Sequence, residues 1–458
     1  MDGDALSKRR CGRAVAEDAL STMGVPRELS ATAMTDAVMR GDLTCESIVQ
    51  DCLDRIAERE ATVGAWAFLE PERALEAARA LDRSPRRGPL HGVPIGVKDI
   101  IDTADMPTEM GSPIYKGYRP RADAACVALL RTAGALILGK TVTAEFAGSF
   151  PGKTANPLDP SRTPGGSSSG SAAAVADYMV AAALGTQTGG SVLRPASFCG
   201  VFGFKPSFGR YNRAGVKQAA ESFDTIGLIT RNLDDIRLLD SALVPNDTLA
   251  SPLAKPSVIG LCRTHLWPRA EESTTIAVED AARRLGAGGA ALRDINLPPE
   301  FADLTPAREC ISNYERARGL AYEWHNHEAL ISPRLRQSIE KGFAISWDQY
   351  RSAMDLAVKW RRDIGDCFGD CDVLLGACVP GEAPQGLDDT GDPKFQELWT
   401  LLHLPTVTLP THWGRNGLPV GIQLVGRLRS DAALLDVADW VWNTLGPTDR
   451  PAKAAMGA

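Results

Sequence analysis

Three features that would assign this chain to a membrane, secreted or nucleic-acid-binding class are missing from its 458 residues. The longest near-apolar run, residues 178–184, is far shorter than the roughly 20 residues that a membrane-spanning helix needs. The basic residues 8–10 have no apolar segment behind them, so no secretory signal is expected. The net charge is −7 without any long basic run, which argues against nucleic acid or an anionic membrane surface as a partner. A small-molecule substrate is therefore expected.

The cysteines also lack the spacing of a metal site or a redox motif. The ten of them contain no pair of CxxC motifs. Cys367, Cys371 and Cys378 are closely spaced, but no histidine lies within twenty residues of them, so buried thiols are favoured over a zinc site. Neither a metal nor another cofactor is expected. Reduced thiols predict a cytoplasmic protein.

Residues 165–206 form the most informative stretch of the chain, GGSSSGSAAAVADYMVAAALGTQTGGSVLRPASFCGVFGFKP. Ser167 and Ser191 each follow a Gly-Gly pair, and glycine lets main-chain N–H groups approach a ligand closely. Upstream, residues 91–99 read HGVPIGVKD, with Lys98 at the end of an apolar strand. Two serines and a desolvated lysine predict a hydrolytic active site.

Three other interpretations of the Gly-Ser stretch are less well supported. Residues 166–170, GSSSG, match the nucleophile elbow of α/β-hydrolases, but that motif follows a hydrophobic strand, and here residues 156–164 contain three prolines. A phosphate-binding P-loop needs Gly-Lys-Ser/Thr after its glycines, and none follows. A flexible linker would not continue into the apolar segments of residues 172–184.

Helix and strand patterns alternate along the chain, which predicts an α/β fold. The helix signals share a capping residue or a proline in the first turn, and they are Thr44, Pro71, Asp123 for a helix ending at Gly134, the Ser346–Gln349 capping box for a helix to about Phe368, and Ser430. Strands are predicted at residues 94–97, 135–138, 178–184, 258–261, 290–295, 373–375, 406–409 and 420–425. The first two strands and the helix between them form a βαβ unit, which predicts a parallel pair. The third would end just before residues 186–191, at a strand end where ligands bind in open α/β sheets.

Five motifs occur in a fixed order: GVPIGVKD, GGSSSG, GTQTGGSVLRPA, CGVFGFKPS and LPVGIQLVG. Together they resemble the amidase signature family over residues 29–445. The resemblance implies a large mixed twisted β-sheet of about eleven strands, covered by α-helices on both faces. It also implies cleavage of a C–N amide bond, with Lys98 as the base, Ser167 as the cis-peptide serine that relays the proton, and Ser191 as the nucleophile.

The chemistry of these residue types agrees with those roles. A serine hydroxyl is a poor nucleophile until a neighbour takes its proton. Burial disfavours the ammonium form of a lysine, so Lys98 can act as that base, with Ser167 between it and Ser191. The main-chain N–H groups expected to bind the oxyanion of the tetrahedral intermediate are those of Thr188, Gly189, Gly190 and Ser191.

The resemblance also predicts how the chain is organised. We expect a flexible N-terminal segment over residues 1–28, a single domain over 29–446 and a disordered tail over 447–458. Within the domain, residues 29–85 would form an N-terminal helical cover, 86–260 the catalytic core, and 300–395 a variable region around the substrate pocket.

Three positions depart from the family pattern. Gln187 stands where the family often has aspartate, Ser169 replaces a glycine, and Leu193-Arg194 reverses the usual order of an arginine and an apolar residue. None of them belongs to the triad. They change the electrostatics beside it, so the substrate cannot be taken over from better-known members.

The substrate is the least determined property. The expected pocket walls are Tyr314, Tyr322, Trp324 and Phe343, with Met110 and Phe146 as further candidates. Such an aromatic lining predicts a neutral aryl or alkyl amide, and a carbamate or an ester fits the same triad. A second alternative is a glutamine-hydrolysing transamidation subunit that works in a complex. The complete triad, the acidic net charge and the departures at Gln187 and Leu193 favour a chain that acts alone, as a homodimer by family resemblance.

Overall fold

The computed structural model describes residues 25–245 and 255–450. Within these ranges, a single eleven-stranded sheet is surrounded by fourteen α-helices. The strands are β1 (Trp66–Leu69), β2 (Pro94–Lys98), β3 (Leu136–Thr141), β4 (Ala182–Gln187), β5 (Phe202–Lys205), β6 (Thr225–Thr230), β7 (Val258–Cys262), β8 (Ala291–Ile295), β9 (Val373–Ala377), β10 (Thr406–Trp413) and β11 (Pro419–Val425). The predicted α/β architecture is therefore confirmed.

Two helices precede the first strand, one follows the last, and the others lie between strands in sequence. They are α1 (Ala31–Arg40), α2 (Cys45–Val63), α3 (Pro71–Asp82), α4 (Ala125–Thr132), α5 (Ser169–Ala176), α6 (Leu193–Cys199), α7 (Leu233–Leu243), α8 (Glu272–Ala287), α9 (Leu304–Gly319), α10 (Ala321–His327), α11 (Pro333–Ala344), α12 (Trp347–Cys367), α13 (Lys394–Leu401) and α14 (Asp431–Leu445). None of the helices in the described ranges is both long enough and apolar enough to cross a membrane.

The sheet contains two parallel groups separated by antiparallel strands. Its strand order is β1-β3-β2-β4-β6-β5-β10-β11-β9-β7-β8. β2 pairs in parallel with β3 on one side and with β4 on the other, as the predicted βαβ unit requires. β7 likewise pairs in parallel with β8 and β9. Because β2 and β4 are parallel neighbours, Lys98 at the end of one and Gln187 at the end of the other lie at the same edge of the sheet.

In the middle of the sheet both faces are buried in hydrophobic core, whereas the edge strand β8 is largely exposed. Side chains alternate between the faces of a strand, and in β3 Leu136 and Leu138 belong to one core cluster whereas Ile137 belongs to the other. Helix α5 packs closely because its residues are small. A β-carbon at Gly170 would overlap the carbonyl oxygen of Ala65, so this helix requires glycine at its second residue.

Several predicted element boundaries were wrong. The strand predicted at residues 178–184 begins only at Ala182 and extends to Gln187. Tyr178 instead has a positive φ of 60° and an exposed ring against Arg231, because an apolar run alone does not fix where extended backbone starts. β1, β5 and β6 were not predicted.

The predicted helix caps have mixed outcomes. Thr44 caps α2 in a capping box with Ser47, and the box predicted at the start of α12 is present. The cap predicted at Asp123 was wrong, because this side chain accepts the N–H of Ala104 at 2.8 Å instead of capping α4. Ser430 is the N-cap residue of α14 as predicted, but its hydroxyl donates to the Arg427 carbonyl at 2.7 Å and caps no N–H group of the helix.

The predicted division of the chain stays a prediction. Residues 1–24 and 451–458, which hold most of the segments predicted to be flexible or disordered, lie outside the described residues. Pro26–Glu28 form a short 3₁₀ helix.

Candidate active site

Lys98 ends a strand that is buried along its whole length. The five residues of β2 lie between β3 and β4, and the Lys98 side chain is 0% exposed. Its Nζ donates to Ser167 Oγ at 2.7 Å and to Thr186 Oγ1 at 2.9 Å. No carboxylate of the described residues forms an ion pair with it. Without a paired carboxylate, the ammonium form of this lysine is not stabilised by an ion pair.

The pKa of Lys98 is accordingly lowered well below its ordinary value. Burial is the main cause, because it disfavours the charged form. The carboxylate of Asp224 opposes this effect, and the guanidinium of Arg194 adds to it. The side chain is thus suited to exist as a neutral amine and to accept a proton.

Ser167 is fully buried and follows a cis peptide bond, Gly166-Ser167. The Gly166 carbonyl in this bond accepts hydrogen bonds from Arg194 Nε at 3.2 Å and Nη2 at 2.5 Å. The Ser167 carbonyl accepts the N–H of Ala144 at 3.0 Å. The carbonyls before and after Ser167 are therefore both held by hydrogen bonds, and the Ser167 hydroxyl is directed at Lys98.

Ser191 lies in the loop that follows β4. It is 7% exposed, and its carbonyl accepts the N–H of Ser168 at 3.3 Å, which joins the two serine-bearing segments. Its hydroxyl makes no hydrogen bond to Ser167 or to any other described residue.

The N–H groups of this loop are available to a ligand. Those of the four residues from Thr188 to Ser191 make no hydrogen bond within the described part of the chain. The next two N–H groups, of Val192 and Leu193, both donate to Gln187 Oε1, at 2.9 and 3.1 Å. Gln187 thus closes the loop and leaves its central donors unpaired, as an oxyanion hole requires.

Other side chains hold the loop from behind. The Thr400 hydroxyl donates to the Gly189 carbonyl at 2.8 Å and accepts Gln187 Nε2 at 3.0 Å. The Gln396 side chain packs closely against Gly190, where a β-carbon would overlap its Oε1. The loop is fixed at its carbonyl side, while its N–H groups stay free.

Asp224 fixes the start of the same loop. It accepts the Thr188 hydroxyl at 2.5 Å and the N–H groups of Ala219 and Ala220 at 2.6 and 2.9 Å. Burial raises the pKa of this carboxyl, and the three hydrogen bonds oppose that shift. Asp224 thus anchors Thr188 by accepting its hydroxyl.

Ser191 opens into a cavity of about 350 Å³. One wall is the loop itself, and the opposite wall is a face of α9. Charged and polar side chains dominate the lining, and they are Arg194, Thr305, Arg308, Glu309, Ser312, Asn313, Arg316, Asp389, Thr390, Lys394 and Glu397. The predicted aromatic lining was wrong.

The aromatic residues predicted as walls lie elsewhere. The Tyr314 ring stacks on Tyr350 at a centroid distance of 4.1 Å, and Tyr322 is 61% exposed. Trp324 and Phe343 contact each other outside the cavity. Each of these rings lies on a helix of the 304–367 region, and none of them lines the cavity.

Met110 and Phe146 are not brought to the cavity either. Both are buried in a small hydrophobic cluster with Leu335 and Ile339. Phe146 precedes Ala147, which does line the cavity. Their predicted role in substrate binding is therefore not supported by this geometry.

Serines outside the triad have supporting contacts. Ser168, the nucleophile of the alternative elbow interpretation, lies within 3.3 Å of both the N–H and the carbonyl of Thr186. The preceding strand, β3, ends at Thr141 and does not run into Ser168, as the strand of an elbow would. The hydroxyl of Ser169 donates to the Val142 carbonyl at 3.3 Å.

The sequence also contains a pattern that marks the cavity wall. Along α9, the polar residues Thr305, Arg308, Ser312 and Arg316 recur every three or four positions, which places them on one face of a helix. Apolar periodicity marks a helix's buried face, and a polar stripe at the same spacing marks a face that lines a site. The sequence marks Arg194 as a departure from the family pattern, but no local pattern indicates its hydrogen bonds to the Gly166 carbonyl.

Comparisons with known proteins agree with this geometry. The family model described as Amidase matches residues 47–435. A glutamyl-tRNA(Gln) amidotransferase subunit of Chloroflexus aggregans is 35% identical over 90% of this chain and 95% of its own length. The corresponding protein of Anaeromyxobacter sp. is 36% identical over 89% of this chain and 94% of its own.

Solved structures show the same fold. The crystal structure of an amidase superposes with a TM-score of 0.85 at 30% identity, covering 91% of this chain and 100% of the other. The native peptide amidase of Stenotrophomonas maltophilia superposes with a TM-score of 0.80 at 27% identity, covering 93% and 99%. With the fold, the motifs and the matched length in agreement, the chain belongs to the amidase signature family and is an enzyme that acts on carbon–nitrogen bonds.

Proposed function

We propose that this protein hydrolyses a small amide through an acyl-enzyme formed on Ser191. Neutral Lys98 accepts the proton of Ser167 as Ser167 takes that of Ser191, and Ser191 Oγ attacks the amide carbon. The N–H groups at 188–191 stabilise the oxyanion, a contribution worth about 2.7–4 kcal/mol for one donor in other enzymes. The proton then passes to the leaving amine. Water, activated along the same path, attacks the acyl-enzyme and releases the acid.

The observation that carries this proposal is the 2.7 Å hydrogen bond from Lys98 to Ser167 in a site where no described carboxylate pairs with the lysine. A structural lysine in a core is normally paired with an acid. Here the amine is joined to a hydroxyl next to the Ser191 loop. This arrangement supports a base and a relay better than it supports a purely structural cation.

The charged lining of the cavity changes the expected substrate. An aryl or alkyl amide gains its binding free energy from apolar walls, and this cavity has few. We therefore propose a polar amide. A carbamate or an ester presents a carbonyl of similar shape to the same serine, and both belong in the assay panel.

A second function is favoured by the similarity to glutamyl-tRNA(Gln) amidotransferase subunits over nine-tenths of the chain. A protein of that kind would hydrolyse glutamine and depend on a partner chain for the full reaction. Incubating the isolated protein with glutamine and with other amides, each with and without ATP, separates the two functions. Hydrolysis of glutamine alone would favour the amidotransferase role. We propose instead that the protein acts on other amides by itself, in the cytoplasm and as a homodimer.

Ser191→Ala tests the mechanism directly. We expect it to abolish amide hydrolysis, because no acyl-enzyme can form, while the protein stays folded by circular dichroism. Ser169→Ala is the matched control, since this serine is buried nearby and contacts only main chain, and it should retain activity. A serine-reactive phosphonate should label Ser191, as read by peptide mass spectrometry. Labelling confined to Ser168, or an active Ser191→Ala protein, contradicts the proposal.

A further inference from the structure

We infer that the substrate carries a carboxylate, which binds to Arg316 and Ser312 on the α9 face of the cavity. This inference rests on the proposed amide hydrolysis at Ser191 and specifies its substrate class. It starts from polar atoms that the protein itself leaves without partners.

Three buried donor atoms on α9 are unsatisfied. Ser312 is 2% exposed, and its hydroxyl has no hydrogen-bond partner among the described residues. Nε of Arg316 and Nε of Arg308 are also buried without a partner there. All three residues line the cavity that contains Ser191. An unpaired buried donor costs about 1–3 kcal/mol, so three on one face indicate a site that a ligand completes.

The charge of Arg316 is also uncompensated. Its guanidinium has a single side-chain partner, the Ser338 hydroxyl at 3.2 Å, and no ion pair with a described carboxylate. Arg308, by contrast, pairs with Glu397 at 2.8 Å. Burial and the neighbouring Arg308 lower the pKa of Arg316 to about 10, against the opposing carboxylates of Asp224 and Glu397. The side chain therefore stays cationic at neutral pH.

The acids near the cavity do not neutralise Arg316. Asp224 is occupied by Thr188 and two N–H groups. Asp389 is exposed and pairs with Arg334 at 3.0 Å. Glu309 is exposed as well. The deep part of the cavity thus retains a positive charge that an anionic ligand would balance.

The position of α9 sets the distance from this charge to the reacting carbonyl. Arg308 packs on the oxyanion loop, where a β-carbon at Gly189 would lie 2.8 Å from its Nη2. Arg316 is eight residues further along the helix, or about 12 Å of helix rise. A carboxylate bound there needs a short chain between itself and the scissile carbonyl. The chemical class is a monoamide of a short linear dicarboxylic acid, and a guanidinium with a neighbouring hydroxyl is suited to bind its carboxylate.

The test compares matched pairs of amides. Succinamate, glutaramate and adipamate carry the carboxylate, and butyramide, pentanamide and hexanamide are neutral amides of similar length. We expect wild-type kcat/KM to be about tenfold to a hundredfold higher for the best anionic amide than for its neutral counterpart, as one charged hydrogen bond allows. Glutamine is included, because it also has a carboxylate but adds an ammonium group.

Arg316→Met should remove the preference for the anionic amide, read as the ratio of kcat/KM for the two members of a matched pair in the same protein. Ser312→Ala, a smaller change, should lower the preference in part. Arg318→Met is the matched control, since this arginine is on the same helix but stacks on Tyr314 outside the cavity, and it should keep the full preference.

The outcomes distinguish this inference from the proposed function. Equal hydrolysis of the anionic and neutral amides by the wild type, or a parallel loss of both in Arg316→Met, overturns the carboxylate subsite while amide hydrolysis stands. Absence of any amide turnover overturns the proposed function. In that case, calorimetry with glutarate decides the subsite: binding to Ser191→Ala that is lost when Arg316→Met is added supports it, and absence of binding refutes it.

Discussion

Two buried lysines on neighbouring strands, Lys98 in β2 and Lys140 in β3, have opposite surroundings. Both are 0% exposed. Lys140 pairs with Asp99 at 3.2 Å and donates to the Thr108 hydroxyl at 2.6 Å. The Lys98 amine, among the described residues, hydrogen-bonds only to Ser167 and Thr186. In the register of the sheet, Lys140 lies opposite Val97 and not opposite Lys98, so the two amines point to opposite faces.

The comparison shows that burial alone does not make a lysine a base. Burial lowers the pKa of both amines, but in Lys140 the carboxylate of Asp99 opposes the shift through charge and hydrogen bonding. Lys98 has only the more distant Asp224, and Arg194 acts against it. The carboxylate of Asp99 next to the Lys140 amine favours a structural cation. The Ser167 hydroxyl next to the Lys98 amine favours a proton acceptor.

Replacing each lysine gives the largest expected effect. Lys98→Met removes the base, so we expect kcat to fall by about 10²–10⁴-fold, the usual contribution of general base catalysis. The matched control is the double variant Lys140→Met, Asp99→Asn, which removes the other lysine together with its partner, and its kcat should stay within about tenfold of the wild type. Steady-state kinetics on one amide substrate measure both. An equal loss in the two proteins would mean that Lys98 has no special role.

The pH dependence of catalysis is the next effect. Lys98 acts only as a neutral amine, so kcat/KM should rise with pH below its depressed pKa and level off above it. The charged groups that set this pKa are Asp224, which raises it, and Arg194, which lowers it. A pH–rate profile from pH 5 to 10 measures the rising limb.

The control for this profile is the same double variant at Lys140 and Asp99, which should retain the limb with an unchanged midpoint. Two results together would show that another group is the base: a shifted midpoint of the kcat/KM profile in the double variant, and a rising limb that persists in the residual activity of Lys98→Met.

Loss of the Asp99–Lys140 pair alone should affect stability rather than chemistry. Asp99→Asn leaves a buried amine without its carboxylate, and breaking one side of a buried pair costs about 3–5 kcal/mol. The double variant with Lys140→Met should recover much of that loss, because no buried charge is left. Urea unfolding of the single and double variants measures the difference. A single variant as stable as the wild type would show that the pair is not ionised in the fold.

The sequence predicted the parts of the site that lie on main-chain motifs. The Gly-Gly-Ser loop and the apolar strand ending at Lys98 were sufficient to place a lysine and two serines at one sheet edge. The missed strands β5 and β6 contain Gly203 and Gly227, and glycine lowers strand propensity. In the fold those glycines allow close approach, since a β-carbon at Gly227 would lie 2.7 Å from the Phe204 carbonyl oxygen.

The cavity wall could not be predicted in the same way. Tyr314 and Arg316 are two residues apart on one helix, and only the rotation of α9 against the sheet decides which of them faces Ser191. That rotation depends on packing between distant elements, which a local pattern does not contain. The aromatic residue was expected at the site and the arginine was not, although the helix turns Arg316 inward and stacks Tyr314 on Tyr350.

Arg194 joins the catalytic serine segment to the segment that shapes the cavity. Its guanidinium donates to the Gly166 carbonyl before Ser167 and, at 2.6 and 3.2 Å, to the Gly391 carbonyl and the Thr390 hydroxyl. The region around 390 was expected to vary with substrate. Because one side chain binds both segments, we expect a mutation that moves residues 390 and 391 to move the relay serine as well. At residues 390 and 391, substrate selectivity and turnover are therefore not independent traits. Directed evolution for new substrates should diversify α9 while leaving these two residues fixed.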